Sequence, residues 1–409
     1  MRALLSLLLL APLASADVRV VSPQGPFTQI QDAVNAANDG DLVLVKPSQS
    51  SYAGFLVQAK SLAIVADLGF PAVNVLGTVT VSDLSAAQTV SLIGLHVTGG
   101  PVAGANVHFG LYSSNNLGSV RCQGCAFGAD SPTTYPVNGY DGVRIEDSSD
   151  VSLTACTVWG GVSAADPWTP FLDTVGGAGV DCQSSTLTLC DSAIHGGAGG
   201  DSFLFQSGDG GPGLASANST IFTSNSTLEG GAGGDGWATG PVPGDGGAGV
   251  FIDASSTSTV RVLKCNLAGG QNGDSSGQTG PAYVGVVDFL TGAARTLSVA
   301  VNPLRELHLV SLSFHGAPGE QVFLLVGEQT AVQWDPLRLA NFLIAPPQYR
   351  TLFLGTTNAA GNLAVFRPFG DLGGTTQSRT YYLQPLFSGA GGAQQLGTPV
   401  CLAVLDQAF

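Results

Sequence analysis

Positive charge is scarce in this sequence. Lysine and arginine together number 14 among 409 residues, and the formal net charge is −15. A chain with so few cations has no basic face, which excludes nucleic acid and anionic membrane surfaces as partners. Charged residues of either sign make up 11% of the chain, whereas glycine alone numbers 57. Abundant glycine with little charge is typical of a turn-rich β-protein.

The sequence also lacks a transmembrane segment. The N-terminal apolar run ALLSLLLLAPL, residues 3–13, falls short of the roughly 20 residues that a spanning helix needs. It follows Arg2 and leads into an Ala-Ser-Ala tripeptide that ends at Ala16, the form of a signal-peptide cleavage site. We therefore expect residues 1–16 to be a signal peptide. The mature chain is expected to be secreted, and to be extracellular, at the cell surface or in the periplasm.

Cysteine is uncommon, with seven residues in the chain. A chain of this length can bury a core without disulfides, and an odd count leaves at least one thiol unpaired or paired with a second chain. We expect buried thiols, with Cys125 and Cys156 as small core residues. Cys182 with Cys190 is the first candidate for a bridge.

Glycine is concentrated in segments such as GGAGGDSFL at residues 196–204 and GGAGGDGWA at residues 230–238. The letters are those of a calcium-binding nonapeptide, but calcium in such a roll is shared by consecutive nonapeptides, and these copies lie much farther apart. We therefore interpret both segments as loop excursions in which glycine supplies positive φ and close backbone approach. A calcium site at Asp201 or Asp235 is the alternative, and no other cofactor is expected.

A longer repeat accounts for the glycines. Apolar or small residues recur at positions 1, 3, 6 and 8 of a segment that a glycine corner closes. Six copies, such as VSLIGLHVTGG and VSLTACTVWGG, start at Val90, Val120, Val151, Leu187, Ile221 and Val260. Apolar residues at every second position, interrupted once by an extra residue, are typical of two short strands that meet at a bend. Units this thin must stack to bury their apolar faces, which predicts a β-solenoid.

The N-terminal segment carries a resemblance. FTQIQDAVNAANDGDLVLVKPSQSSYAGFLVQAKSLAIVAD, from Phe27, resembles the opening of right-handed parallel β-helix proteins of the pectin-lyase-like superfold. The resemblance covers roughly residues 18–290, and it implies that an amphipathic helix caps the first coil. Phe27, Ile30, Val34 and Ala37 form its apolar stripe, and Gly40 is expected to stop it. The superfold includes lyases, hydrolases, esterases and non-catalytic proteins.

The pattern changes after about Phe289. Short alternating strands between turns predict a small β-sandwich over residues 296–409, which resembles C-terminal modules of exported bacterial proteins. Residues 307–316 also fit the repeat, so one last coil is the alternative for that segment. The predicted architecture is thus all-β: a signal peptide at 1–16, a right-handed parallel β-helix with Gly-rich loops at 17–290, and a β-sandwich.

Repeat register gives a candidate binding site. Position 9 follows the inward position 8 and must point outward, and in three successive copies it is Trp159, His195 and Glu229. These side chains should form a ladder with a spacing of about 4.8 Å per coil. An indole beside a polar pair suits a sugar, because the ring stacks on C–H faces while the polar groups bind hydroxyls. Trp168 and Trp237, on the adjoining excursions, are expected to wall this glycan site.

Catalytic candidates come from the resemblance. Hydrolases of the superfold use aspartates with a nearby histidine, and the segments around Asp181 and His195 are similar to parts of those motifs, although the paired aspartate is missing. Asp181 and His195 are the resulting candidates, and Glu229 joins them only through its predicted place beside His195 in the ladder. Lyases of the superfold use an acidic cluster with a basic residue, and YDGVRIEDSSD, residues 140–150, is either a fragment of such a site or a polar turn.

The sequence therefore favours an exported protein that binds polysaccharide or cell-envelope glycan, or that has a structural role at the surface. The alternative is a diverged polysaccharide lyase or glycoside hydrolase of the superfold. The identity of the glycan, the oligomeric state and the role of the C-terminal region are open at this point.

Overall fold

The structure is a computed structural model that describes residues 16–67, 72–100, 108–131, 138–164, 174–202, 207–236, 242–274, 277–345 and 349–409. Its first part contains three long sheets, which we name A, B and C. In each of them every strand pairs in parallel with the equivalent strand of the next coil. Successive coils repeat the order C, A, B along the chain. The expected right-handed parallel β-helix is confirmed.

The strands of the three sheets are short and evenly spaced. Sheet A comprises Val18–Val21, Leu42–Val45, Leu62–Ala66, Thr89–Ile93, Ser119–Gln123, Asp150–Thr154, Thr186–Cys190, Thr220–Ser224, Thr259–Leu263 and Val287–Leu290. Sheet B comprises Tyr52–Ala53, Asn74–Leu76, His96–Thr98, Ala126–Gly128, Thr157–Trp159, Ala193–His195, Thr227–Glu229 and Asn266–Ala268. Sheet C comprises Leu56–Gln58, Val79–Ser82, Leu111–Ser114, Val143–Glu146, Val180–Gln183, Leu214–Ala217, Val250–Ile252 and Tyr283–Val284.

Repeat positions 1, 3, 6 and 8 face the interior, as the pattern predicts. In the copy that starts at Val90 they are Val90, Leu92, Leu95 and Val97, which all belong to one continuous core. Positions 1 and 3 lie in sheet A and position 8 lies in sheet B. Because the strands pair in register, each position forms a column of stacked side chains, which are apolar or, as at Ser192, Thr223 and Ser226, small and polar.

A left-handed residue makes the bend between sheets A and B. It occupies position 5 of each copy, the extra residue that breaks the period of two. The six residues have φ between 47° and 71° and are Gly94, Gly124, Ala155, Asp191, Asn225 and Lys264. Asparagine, aspartate and glycine tolerate this conformation best, which explains their frequency at the position. The bend turns the side chain at position 6 back toward the core.

One short helix covers the first coil. It spans Ile30–Ala36 and buries Ile30, Ala33 and Val34. The predicted stripe was too long at both ends: Phe27 pairs with Val21 in an isolated bridge, and Ala37 is extended. Gly40, with φ 91°, therefore lies beyond the end of the helix and does not stop it. Lys60 binds the free carbonyls at that end through its Nζ atom, at 2.9 Å from the Val34 oxygen and 2.7 Å from the Ala37 oxygen.

Gly-rich arms connect sheet B to sheet C and pack against each other. Their described residues are 160–164, 174–179, 196–202, 207–213, 230–236, 242–249, 269–274 and 277–282. The prediction of positive φ was wrong, because no glycine within these described residues has it. Close approach is the reason for glycine: a Cβ atom on Gly196 would lie 2.1 Å from the Gly211 oxygen, and one on Gly231 would lie 1.9 Å from the Gly197 oxygen.

The seven thiols are free. Cys125 and Cys156 face the interior, as expected. The suggested bridge between Cys182 and Cys190 was wrong, because Cys182 faces the β-helix interior whereas Cys190 lies on the outer face of sheet A. The two side chains therefore belong to different cores.

The C-terminal region has two facing sheets, D and E, and a hairpin; its strands pair antiparallel, except that Leu304–Arg305 pairs in parallel with Val400–Leu405. Sheet D comprises Thr296–Val299, Leu309–His315 and Asn362–Pro368. Sheet E comprises Leu304–Arg305, Val400–Leu405, Ser378–Ser388, Gln321–Gly327, Tyr349–Thr356 and Gln394–Leu396, and the hairpin comprises Thr330–Asp335 and Ala340–Ile344. Leu309–His315 pairs antiparallel with both of its neighbours, so it is not a last coil. The region is β-sandwich-like, with a core of its own between sheets D and E.

Sheet E and the hairpin lie against the outer face of sheet A. Leu42, Leu44 and Phe222 of sheet A share a second core with Leu325 and Phe342. Polar contacts cross the same boundary, including one of 3.0 Å between the hydroxyl oxygens of Ser91 and Tyr382. Most of sheet A is therefore buried on both faces, whereas its last strand, Val287–Leu290, keeps exposed side chains.

An ion pair is buried near this boundary. The guanidinium of Arg121 donates two hydrogen bonds to the carboxylate of Asp150, and only 6% and 7% of the two side chains are exposed. The hydroxyl of Ser119 donates to the same carboxylate at 2.6 Å. Removing one partner from such a pair leaves an uncompensated buried charge.

We expect Gly231→Ala to destabilise the protein by about 1–3 kcal/mol, because the new methyl group would overlap the Gly197 carbonyl. Gly128→Ala is the matched control, since its Cβ would meet nothing closer than 4.0 Å. Thermal unfolding of the two variants checks the difference, and equal midpoints would contradict the role given to the glycine contacts.

We expect Asp150→Asn to cost about 3–5 kcal/mol in urea unfolding, because Arg121 would keep its charge without an anionic partner. Asp288→Asn removes an exposed carboxylate 3.8 Å from Arg261 on the same sheet, and should cost less than about 1 kcal/mol. A cost for Asp150→Asn no larger than that of the control would show that the buried pair is unimportant.

Candidate functional site

Trp159, His195 and Glu229 form a column on the outer face of sheet B. Register pairing places Trp159 beside His195 and His195 beside Glu229. The indole and imidazole rings are stacked, with centroids 6.2 Å apart and an interplanar angle of 14°. The Nδ1 atom of His195 lies 3.2 Å from Oε2 of Glu229. We call this set the sheet B column.

The sheet B column is open to solvent and has short neighbours. Trp159 is 46% exposed, and the side chains of His195 and Glu229 are 32% and 48% exposed. The same column continues to Gly128 on one side and Ala268 on the other. Because neither neighbour carries a long side chain, the ring and the carboxylate can be reached from outside and from both ends.

The three catalytic candidates do not converge. His195 and Glu229 lie in sheet B, whereas Asp181 lies in sheet C, between Arg144 and Ala215 in register. Its carboxylate is 3.4 Å from the guanidinium of Arg144. The sheet B column therefore has a single carboxylate, Glu229.

A second polar group lies on the outer face of sheet C around Arg144. The Nε atom of Arg144 donates to Glu146 at 2.6 Å, and its Nη1 atom donates to Asp141 at 3.2 Å. Tyr112, one coil away, donates its hydroxyl to Glu146 at 2.6 Å. Together with Asp181 these residues form what we call the Arg144 network.

The sequence segment 140–150 contains only part of this network. Tyr112 and Asp181 come from the neighbouring coils and were not predicted to join it. Asp147 does not belong to the network: it has a φ of 46° at the bend between sheets C and A.

Burial and like charge shift the carboxyl pKa values of the network. Burial, with the neighbouring charge of Asp181, raises the pKa of Asp141 to about 6. Burial also raises the pKa of Asp181. For Glu146, hydrogen bonds from Tyr112 and Arg144 outweigh burial and lower the pKa. Carboxyl groups with different pKa values can serve as proton donor and proton acceptor. Here, however, Arg144 pairs with all three carboxylates, so the charged side chains of the network are paired with one another.

Of the two proposed metal ligands, Asp201 accepts a backbone hydrogen bond through its carboxylate, as does Asp209 on the next returning arm. The backbone N–H of Asp235 donates to Oδ1 of Asp201 at 2.8 Å, and the backbone N–H of Asp245 donates to Oδ1 of Asp209 at the same distance. These carboxylates join successive Gly-rich arms. Within the described ranges, no group of three or more His, Cys, Asp or Glu side chains is arranged to hold a metal ion. A calcium site at Asp201 or Asp235 stays a prediction.

The two remaining tryptophans of the predicted site are outside this description. Trp168 and Trp237 both belong to segments of the excursions that lie outside the described residues. Their predicted contribution to the wall of the glycan site stays a prediction.

Comparison with known proteins gives a distant likeness in structure. No protein-family model matches the chain, and no curated protein matches its sequence. Pectin methylesterase from Aspergillus niger matches with 16% identity and a TM-score of 0.28, over 69% of this chain and 92% of the other. Tailspike protein 2 from Escherichia coli O157:H7 bacteriophage CAB120 matches with 10% identity and a TM-score of 0.26, over 90% of this chain and 65% of the other.

The parallel pairing of the strands establishes the β-helix fold without these comparisons. The low TM-scores support no conclusion about activity. In the part of the chain that the structure describes, no helix is sufficiently long and apolar to cross a membrane.

We expect Asp141→Asn to stabilise the protein at pH 8 by about 1–3 kcal/mol, because the folded state holds a carboxylate whose pKa is raised to about 6. A raised carboxyl pKa means that the folded state binds the extra proton between about pH 4 and 6. The native aspartate therefore destabilises the fold above pH 6, and that cost disappears as the pH falls toward 4.

Urea unfolding at pH 4.5 and pH 8 checks this expectation, with the difference between variant and native protein shrinking at the lower pH. A variant that is less stable than the native protein at pH 8 would show that the ion pair with Arg144 outweighs burial.

Proposed function

We propose that the protein binds a polysaccharide on the outer face of sheet B, with Trp159, His195 and Glu229 as a subsite. The observation that carries the proposal is the exposed indole stacked on an imidazole that is itself joined to a carboxylate. Apolar ring faces suit the C–H faces of a sugar, and the polar pair offers donors and acceptors to its hydroxyls.

The geometry of the sheet B column suits an extended ligand. The three side chains come from successive coils about 4.8 Å apart, so they span about 10 Å along the β-helix axis. Gly128 and Ala268 continue the column with small residues at its two ends. Beyond Gly128 the same outward position is Thr98 and then Leu76, which is 60% exposed, so a polymer along the axis would meet no long side chain for two coils on that side.

Charge favours a neutral polysaccharide. The chain has a formal net charge of −15, and the sheet B column contributes Glu229. A polyanionic glycan would be repelled by this field, and no arginine or lysine lies in the column to offset it. With the expected signal peptide at residues 1–16, binding would take place outside the cytoplasm.

The alternative function, a diverged polysaccharide lyase or glycoside hydrolase, finds no support in the sheet B column. Glycoside hydrolysis needs two carboxyl groups roughly 5–10 Å apart across the scissile bond. Glu229 is the one carboxylate of the column, and Asp181 belongs to the Arg144 network on another sheet. The proposal is therefore binding without cleavage.

We expect the secreted chain to be retained on at least one neutral polysaccharide, such as cellulose, xylan, mannan or starch, without releasing reducing or unsaturated ends. Trp159→Ala should weaken retention roughly tenfold, because it removes the stacking surface. Depletion assays, run with and without millimolar calcium, measure both retention and new ends.

Phe251→Ala is the matched control, because Phe251 is a similarly exposed aromatic residue on sheet C. Equal loss in both variants would mean that the sheet B column is not the site. New chain ends would overturn binding without cleavage.

A further inference from the structure

A large cavity lies inside the C-terminal region, between sheets D and E. Its volume is about 880 Å³. It opens where the edge strand of sheet E, Tyr349–Thr356, faces the edge strand of sheet D, Asn362–Pro368. These strands follow each other in the chain, but each pairs only with its own sheet. The sandwich is therefore unclosed along this edge.

The interior of the cavity is apolar. Strand alternation sends every second side chain of the two sheets into the space between them. The side chains that form its floor are Val310, Leu312, Leu324, Leu352, Leu383 and Leu402. Five of the six are buried, and Leu352, on the edge strand, is 48% exposed. A cavity of this size and composition falls within the range of small-molecule sites.

The mouth of the cavity is positively charged. Arg350, Arg367 and Arg379 lie there together with one acidic residue, Glu328. Arg379 is 3.4 Å from Glu328, and both side chains are well exposed. Neither Arg350 nor Arg367 forms an ion pair with any residue that the structure describes. Three of the 14 basic residues of an acidic chain thus gather at one opening.

Tyr381 adds a donor just inside the mouth. It lines the cavity two residues after Arg379 on the same strand. Burial raises the pKa of Tyr381, so its hydroxyl stays protonated at neutral pH and can donate a hydrogen bond. The mouth therefore combines three guanidinium groups and a phenol around an apolar interior.

We propose that this cavity binds an amphiphile with a single linear apolar chain and an acidic head group, the chemistry of a long-chain fatty carboxylate. The chain would lie among the valine and leucine side chains between the sheets. The carboxylate would lie at the mouth, where Arg350 and Arg367 have no acidic partner of their own. Guanidinium groups bind carboxylates through paired hydrogen bonds, so the head group supplies the missing charge.

Other ligand classes fit less well. A sugar would leave its hydroxyl groups unpaired against the apolar floor, which is costly. A cationic amphiphile would meet three arginines, and a neutral alcohol would leave their charge unbalanced. The arginines at the mouth thus select for an acidic head group, and the volume of the cavity limits the length of the apolar tail.

The test uses the secreted chain and the fluorescent fatty acid cis-parinarate, titrated below its aggregation threshold. We expect saturable binding of one molecule per chain and displacement by palmitate. Hexadecanol should displace it at least about tenfold less well, because it lacks the charge-assisted hydrogen bonds. Hexadecyltrimethylammonium should not compete.

The double variant Arg350→Gln and Arg367→Gln should weaken palmitate binding at least about tenfold. Both side chains are exposed, so folding should be retained. Arg338→Gln is the matched control, because Arg338 lies in the same region, pairs with Asp335 and is not at the cavity. Leu352→Trp, at a half-exposed position, should block binding by filling the space.

Three results would each overturn the proposal: no saturable binding of cis-parinarate, equal displacement by palmitate and hexadecanol, or equal weakening in the double variant and the Arg338 control. Trp159→Ala should leave fatty-acid binding unchanged, which separates this site from the one proposed on sheet B.

Discussion

In-register pairing of parallel strands is the constraint on which the rest of this structure depends. Each strand of sheets A, B and C bonds to the equivalent strand of the next coil, so residues at one repeat position stack about 4.8 Å apart. The core columns, the left-handed bends and the sheet B column are all consequences of that single register. Shifting one coil by a residue would move its apolar side chains to the outer face and separate Trp159 from His195.

The glycine contacts extend the same register into the arms between sheets B and C. The backbone N–H of Gly197 donates to the Gly177 oxygen, that of Gly211 to the Gly197 oxygen, and that of Gly231 to the Gly211 oxygen, each at 2.8 Å. Outgoing and returning arms thus bond alternately, and their backbones are satisfied by one another. Such packing leaves no room for a Cβ atom, so the arms require glycine. Many of the 57 glycines of the chain therefore lie in ordered arms and not in flexible linkers.

Side-chain direction could be predicted from the sequence wherever it is set locally. A period of two with one left-handed residue decides which positions face inward, so positions 1, 3, 6 and 8 and the outward position 9 could all be assigned. The Arg144 network was not predicted, although the segments at 142–145 and 179–182 share a Gly-Val-x pattern that aligns Arg144 with Asp181, as they are paired in sheet C. The packing of the C-terminal region on sheet A could also have been predicted. LVLV at 42–45 and LAIVA at 62–66 are continuous apolar runs, which are typical of strands buried on both faces.

The docked C-terminal region determines which faces can bind ligands. One face of sheet E covers sheet A, where the Arg121–Asp150 pair is shielded from solvent, so a polymer cannot reach that side of the β-helix. Sheets B and C keep their outer faces, and the sheet B column lies on one of them. The opposite face of sheet E lines the cavity with the three arginines at its mouth. Sheet E therefore separates two environments: a boundary of apolar and polar contacts that holds the region on the β-helix, and an apolar cavity in which the proposed ligand with an acidic head group would lie.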